Sequence, residues 1–119
     1  MYQIEDLSRV YVMGKVNVKA LDGVSFTVPD GDMLEIMGRS GSGKSTLLKQ
    51  ICMLDRPTAG SVTFQDDEVT RLPESTRAKL RLKYLGYVFQ EYALLGELTA
   101  HQNVYLPGMM LRKKDTDFK

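Results

Sequence analysis

Residues 38–46 read Gly38-Arg39-Ser40-Gly41-Ser42-Gly43-Lys44-Ser45-Thr46 and satisfy the P-loop pattern G-x-x-x-x-G-K-[ST] at every fixed position. No other stretch limits the possible folds so tightly. Glycines let the backbone turn sharply and aim several N–H groups at one point. A helix that follows adds the positive end of its dipole there. Lys44 then reaches the β- and γ-phosphates of a nucleotide, and the Ser45 hydroxyl can ligate Mg²⁺. At average residue usage, a chain of this length matches the pattern by chance roughly 0.4% of the time. The flanks agree with it. Met33-Leu34-Glu35-Ile36-Met37 predicts a strand, and Leu47, Leu48, Ile51, Cys52 and Leu54 predict the apolar face of a helix. Strand, loop, helix is the setting that a phosphate cradle requires.

The bulk numbers exclude several classes. The chain has 119 residues, enough for one modest domain. Its net charge of +1 gives no broad field to draw nucleic acid or an acidic membrane surface. Arg77, Lys79, Arg81 and Lys83 fan around a helix instead of forming one stripe, which predicts a solvated surface. Cys52 is the one cysteine and cannot close an internal disulfide, so a buried thiol in a reducing compartment is expected. His101 is the one histidine, and no Cys/His cluster supports structural zinc. No apolar run approaches a membrane span, and Met1-Tyr2-Gln3-Ile4-Glu5-Asp6 is not a secretion signal. The expected place is the cytosol, with a partner holding the chain to any membrane where it acts.

Residues 2–7 and 10–13 predict short strands, with Tyr2, Ile4, Val10 and Val12 spaced for alternation. Gly14-Lys15 predicts a turn, and Val16, Val18 and Ala20 alternate again. Residues 24–28 predict a strand closed by Pro29-Asp30-Gly31. Asp55 to Gly60 ends the helix after the P-loop. Residues 61–65 predict a strand, although Asp66-Asp67 stands where Asp-Gly would make a stronger turn. Pro73 opens a short helix to about Leu82, and 85–89 predict an apolar strand. Thr99 with Gln102 predicts a capping box and a helix that Pro107-Gly108 interrupts. The polar tail 112–119 predicts a frayed end.

With these segments placed, the chain resembles the nucleotide-binding domain of an ABC transporter, of the macrolide-export and lipoprotein-release type. The resemblance runs from Ile4 to about Met110. It is carried by Val18-Lys19-Ala20-Leu21-Asp22-Gly23-Val24-Ser25-Phe26, Leu54-Asp55-Arg56-Pro57-Thr58-Ala59-Gly60, Gly86-Tyr87-Val88-Phe89-Gln90, and Leu94-Leu95 followed by Leu98-Thr99-Ala100. It implies an α/β fold: a partial P-loop NTPase core, an antiparallel β subdomain over 1–32, the core to the Q-loop over 33–90, and the start of a helical subdomain over 91–119. It implies ATP and Mg²⁺ as cofactors, bound by residues 38–46. Tyr11 sits where the family places the aromatic ring that stacks on adenine. Gln90 matches the glutamine that touches Mg²⁺ and the attacking water; its amide both donates and accepts. The family joins a membrane permease near Glu91–Tyr105, where Tyr92, Leu94, Leu95, Leu98 and Tyr105 concentrate; internal packing of the subdomain accounts for them equally well. The family also pairs two ATP-binding subunits, and it works on the cytoplasmic face of the membrane through the permease.

The departures are as informative. The family's Mg²⁺-orienting Asp and catalytic Glu, its Leu-Ser-Gly-Gly-Gln signature and its switch histidine find no counterpart; His101 falls too early. Ile51-Cys52-Met53-Leu54-Asp55 imitates the acidic strand, but it lies on the helix leaving the P-loop and is followed by Arg56. The chain therefore reads as the N-terminal half of a domain, one that binds nucleotide better than it hydrolyses it. The alternative is a non-catalytic binding or interaction fragment. A P-loop kinase or GTPase is disfavoured, since no guanine-reading Asn-Lys-x-Asp pattern is present. Arg39 replaces a frequent proline and adds charge beside the phosphates or points to solvent. Glu35 in the P-loop strand needs a buried partner or an open strand face. Strand edges left without neighbours predict self-association, strand exchange or a complementing chain.

Overall fold

The structure is a computed structural model that describes residues 1–111. The chain divides into two compact units, Met1–Arg77 and the residues from Ala78 onward. The expected frayed tail lies outside the described residues.

The first unit is built on a four-stranded antiparallel sheet. Strand β1 (Tyr2–Met13) and β2 (Val16–Val28) form a long hairpin around the two-residue turn Gly14-Lys15. β3 (Ala59–Phe64) pairs with the other edge of β1, and β4 (Asp67–Glu68) pairs with β3, giving the order β2-β1-β3-β4. The β3–β4 turn forms despite its weak sequence, with Gln65 taking the positive φ of 57° that a glycine would usually supply. The helix α1 (Lys44–Ile51) follows the P-loop.

β1 is one strand where two were expected, and a bulge explains the difference. Asp6 adopts φ 47°, and the pairing register shifts between Ile4 and Leu7. One extra residue flips the side-chain phase. Ile4 and Leu7 are thereby both buried, while Val12, expected to continue the apolar alternation, is exposed. Arg9 and Tyr11 both reach the turn that follows α1. Gly60 of β3 permits the bulge: at φ +82°, a Cβ would overlap the carbonyls of Glu5 and Asp6. Ile4, Leu7, Leu21, Leu47, Met53, Val62 and Val69 make the core of this unit. The Tyr2 and Phe64 rings lie opposite each other across β1 and β3, with centroids 4.7 Å apart.

The expected strand at 33–37 is not one. Residues 32–39 have no ladder partner, and Met33 and Met37 stand open to solvent, as does Glu35. Glu35 thus has the open face that it needs instead of a buried partner. A strand of a parallel sheet takes its hydrogen bonds from neighbours on both edges, and none stands beside this segment among the described residues. Residues 85–89 in the second unit depart from expectation for the same reason. The helix after the P-loop also stops earlier than its apolar pattern, at Ile51, and Cys52 is half-buried as its C-cap.

In the second unit, α2 (Glu74–Tyr84), which begins in the first, is followed by the 85–89 segment, which forms no regular element, and by α3 (Ala100–Met110). The capping box at Thr99 and Gln102 is complete in both directions. Asn103 clamps the chain before it, donating to the carbonyls of Leu95, Leu98 and Thr99 while its Oδ1 accepts from the Leu95 N–H. Contrary to expectation, α3 passes through Pro107 and Gly108. A proline so near the end removes one N–H, and the helix closes within a turn on the Leu111 N–H to Pro107 carbonyl bond, 3.1 Å.

Candidate functional site

The P-loop leads into α1 through Gly43, which takes a left-handed φ of 95° and leaves the helix without a side-chain cap. A Cβ at Gly43 would overlap the Ala20 carbonyl and crowd Leu21. The loop therefore sits directly on the backbone of β2, an approach open only to glycine. Within the loop the Ser42 N–H donates to the Arg39 carbonyl at 3.2 Å, and the first helical bond runs from Leu47 to Gly43 at 2.8 Å. The N–H groups of Lys44, Ser45 and Thr46, in the first turn, have no helical acceptor to use. No acidic side chain occupies that turn. This is a cluster of outward-facing donors at the positive end of a helix, a fit for an anion.

Lys44 folds back over the loop. Its ammonium donates to the Gly38 carbonyl at 2.9 Å and the Arg39 carbonyl at 2.7 Å. An ammonium has three donors, so one remains for a phosphate oxygen. The Ser45 side chain is exposed at the mouth of the loop, as are those of Arg39, Ser40 and Ser42, while Thr46 is half-buried. Among the described residues no group of three or more His, Cys, Asp or Glu side chains could hold a metal. The Ser45 hydroxyl beside a phosphate-shaped cradle instead suits Mg²⁺ carried in by a nucleotide, since that ion commonly takes one or two protein ligands, water and phosphate oxygens.

Tyr11 belongs to the same unit. It pairs with Val18, two residues from the Ala20 that supports Gly43. Its ring is partly exposed, and the Arg9 guanidinium lies over it, 4.5 Å from the centroid. Its hydroxyl donates to Asp55 Oδ2 at 3.2 Å. Gln90 lies in the second unit, exposed and directly after Phe89. The P-loop residues and Tyr11 are thus brought together in one unit, and Gln90 is carried by the other.

Sequence reasoning missed the groups that hold this site from behind. Asp55 accepts from Arg9 Nη2 at 3.1 Å, from Tyr11, from the buried Gln50 at 3.2 Å and from the Arg56 N–H at 2.7 Å. Partial burial works to raise its pKa. The Arg56 N–H, the Arg9 charge, and the Tyr11 and Gln50 hydrogen bonds outweigh that and hold the carboxyl below its usual range. Arg77, expected on a solvated helix face, is buried. It donates to the carbonyls of Met53 at 2.8 Å and Asp55 at 2.6 Å and pairs with Glu74. Lys79 and Lys83 are exposed as expected. Arg9, two residues before Tyr11 on a strand, was the one sequence signal that a charged partner accompanied the ring.

Residues 21–119 match the sequence pattern of the ABC transporter family. The chain belongs to that family. A Thermotoga maritima ABC transporter ATP-binding protein of uncharacterised role is 48% identical over 105 residues, covering 88% of this chain and 45% of that protein. The lipoprotein-releasing system ATP-binding protein LolD of Geobacter metallireducens is 40% identical, over 98% of this chain and 52% of LolD. The macrolide export ATP-binding/permease protein MacB of Hyphomonas neptunium is also 40% identical, over 92% of this chain and 17% of its own length. In three dimensions this ABC chain is similar to the dimeric ATP-binding cassette MJ0796 in a post-hydrolysis state bound to ADP and Pi. The TM-score is 0.89 at 37% identity, over 92% of this chain and 47% of MJ0796. The chain thus spans about half the length of the stand-alone ATP-binding relatives it matches, and its fold is part of a P-loop ABC cassette. No helix among the described residues is long and apolar enough to cross a membrane.

Proposed function

We propose that this chain is the nucleotide-binding part of an ATP-binding subunit of an ABC-type transporter, where ATP binding and hydrolysis drive transport or export. The observation that carries the reading is the loop at 38–46: an uncapped α1 N-terminus, a Gly43 seated on β2, and Lys44 bent across the loop carbonyls. The backbone N–H groups of this loop would take the β- and γ-phosphates, Lys44 would balance their charge, and Ser45, with Gln90, would face Mg²⁺. Mg²⁺, when bound with the nucleotide, supplies charge neutralisation between the phosphates. Tyr11 would stack on the adenine.

The same reading places the protein at the cytoplasmic membrane surface through a permease, with a second ATP-binding subunit as partner. The second unit supports a docking role for the region around Glu91–Tyr105. A groove of about 500 Å³ there is lined by Phe89, Leu94, Leu95, Val104 and Pro107, and Tyr92 stands almost fully exposed beside them in sequence. Residues from 91 onward would open the helical subdomain. The acidic pair that orients and activates water in the family has no counterpart in these 119 residues, so binding should outstrip turnover.

Titration of the 119-residue chain with ATP, with and without Mg²⁺, tests the proposal. Lys44→Ala should weaken ATP by at least about tenfold, the loss of one charge-assisted contact. Turnover should stay far below that of a full ABC dimer. Absence of any ATP binding would instead favour the non-catalytic interaction fragment.

A further inference from the structure

We propose that Asp55 is a positioning residue for the base of the bound nucleotide, acting through Tyr11 and Arg9. The inference rests on the reading of Tyr11 as the ring that meets the base, and it adds what aims that ring. Tyr11 has a polar handle, and the handle is held: its hydroxyl donates to Asp55 Oδ2. Arg9 donates to the same carboxylate from Nη2, 3.1 Å from Oδ1, and its Nε lies 3.0 Å from Oδ2 in the ion pair without making a hydrogen bond. The hydrogen bond and the ion pair together hold the guanidinium at Asp55, and the guanidinium lies over one face of the Tyr11 ring. With Arg9 on one face, a stacked base would have to take the other.

The carboxylate is itself anchored. Gln50, 2% exposed, donates to it from the last turn of α1, the Arg56 N–H closes on its other oxygen, and Arg77 fixes its backbone carbonyl. Asp55 therefore ties the ring to the C-terminal end of the helix whose N-terminal end forms the phosphate cradle. The cradle keeps its own supports, the Gly43 seat on Ala20 and the Lys44 bonds to Gly38 and Arg39. Loss of the carboxylate should loosen the ring and spare the loop.

The test compares ATP with inorganic tripolyphosphate, both with Mg²⁺, by calorimetric titration of the full 119-residue chain. The variants are Asp55→Asn, Tyr11→Phe, their double and Tyr11→Ala. Asp55→Asn and Tyr11→Phe should each weaken ATP by roughly threefold to tenfold, the range of one net hydrogen bond. Tripolyphosphate affinity should not change, and the double variant should be no worse than the weaker single. A general loosening of the fold would weaken both ligands alike, and that result overturns the proposal. So does a loss of ATP affinity in Tyr11→Ala with none in Tyr11→Phe or Asp55→Asn, which leaves the base-stacking reading standing. An unchanged ratio of ATP to tripolyphosphate affinity in Tyr11→Ala removes base stacking itself, and the positioning role with it. Tyr11→Phe keeps the carboxylate and its contacts with Arg9, Gln50 and Arg56, so it decides the matter if Asp55→Asn does not fold.

Discussion

Arg77 shows how much a single side chain can carry that its neighbours in sequence do not. Four basic residues share the segment 77–83, yet Arg77 is buried against two backbone carbonyls while Lys79 and Lys83 are solvated. The Met53 and Asp55 carbonyls lie just past the end of α1, where helical N–H donors run out, and Arg77 Nη2 donates to both. Arg77→Met should destabilise the chain by about 2–4 kcal/mol in denaturant unfolding, since it strands two acceptors. Lys79→Met should stay within about 0.5 kcal/mol. Helical spacing could not separate the four, because burial here is decided by a turn more than twenty residues earlier in the chain.

Local chemistry was the legible part of the elements. The hairpin at Gly14-Lys15, the capping box at Thr99 and the glycine loop into α1 all form as read, each from residues within a few positions of one another. The illegible parts need distant partners. The bulge at Asp6 depends on Gly60 lying beside it, and it is the bulge that sends Val12 outward. Segments 33–37 and 85–89 have strand composition, but a ladder requires neighbours that composition does not supply. The pairing of β1 with β3 carries a pH signature. Burial, with the Cys52 thiolate adding to it, pushes the Tyr2 phenol up to about 12 from an ordinary value of 10.0. The folded state therefore favours the neutral phenol. Its contribution is complete below about pH 10 and is lost as pH rises toward about 12. Unfolding midpoints measured across that window should fall for the native chain and fall less for Tyr2→Phe.

At the scale of the whole molecule, several large apolar side chains are left open to solvent. Met33 and Met37 in the first unit, and Val88, Tyr92 and Val104 in the second, are all exposed. Sedimentation velocity should show association that grows with concentration, and Met33→Lys with Met37→Lys should reduce it. The place of the bare segment has a further consequence. Met37 is bonded directly to Gly38, the first residue of the phosphate loop. A chain pairing with 33–37 would order the approach to the loop and so lower the entropy left for a nucleotide to remove. By linkage, the nucleotide would then tighten that chain's hold by the same factor. Pairing of this segment and filling of the cradle would be two halves of one equilibrium.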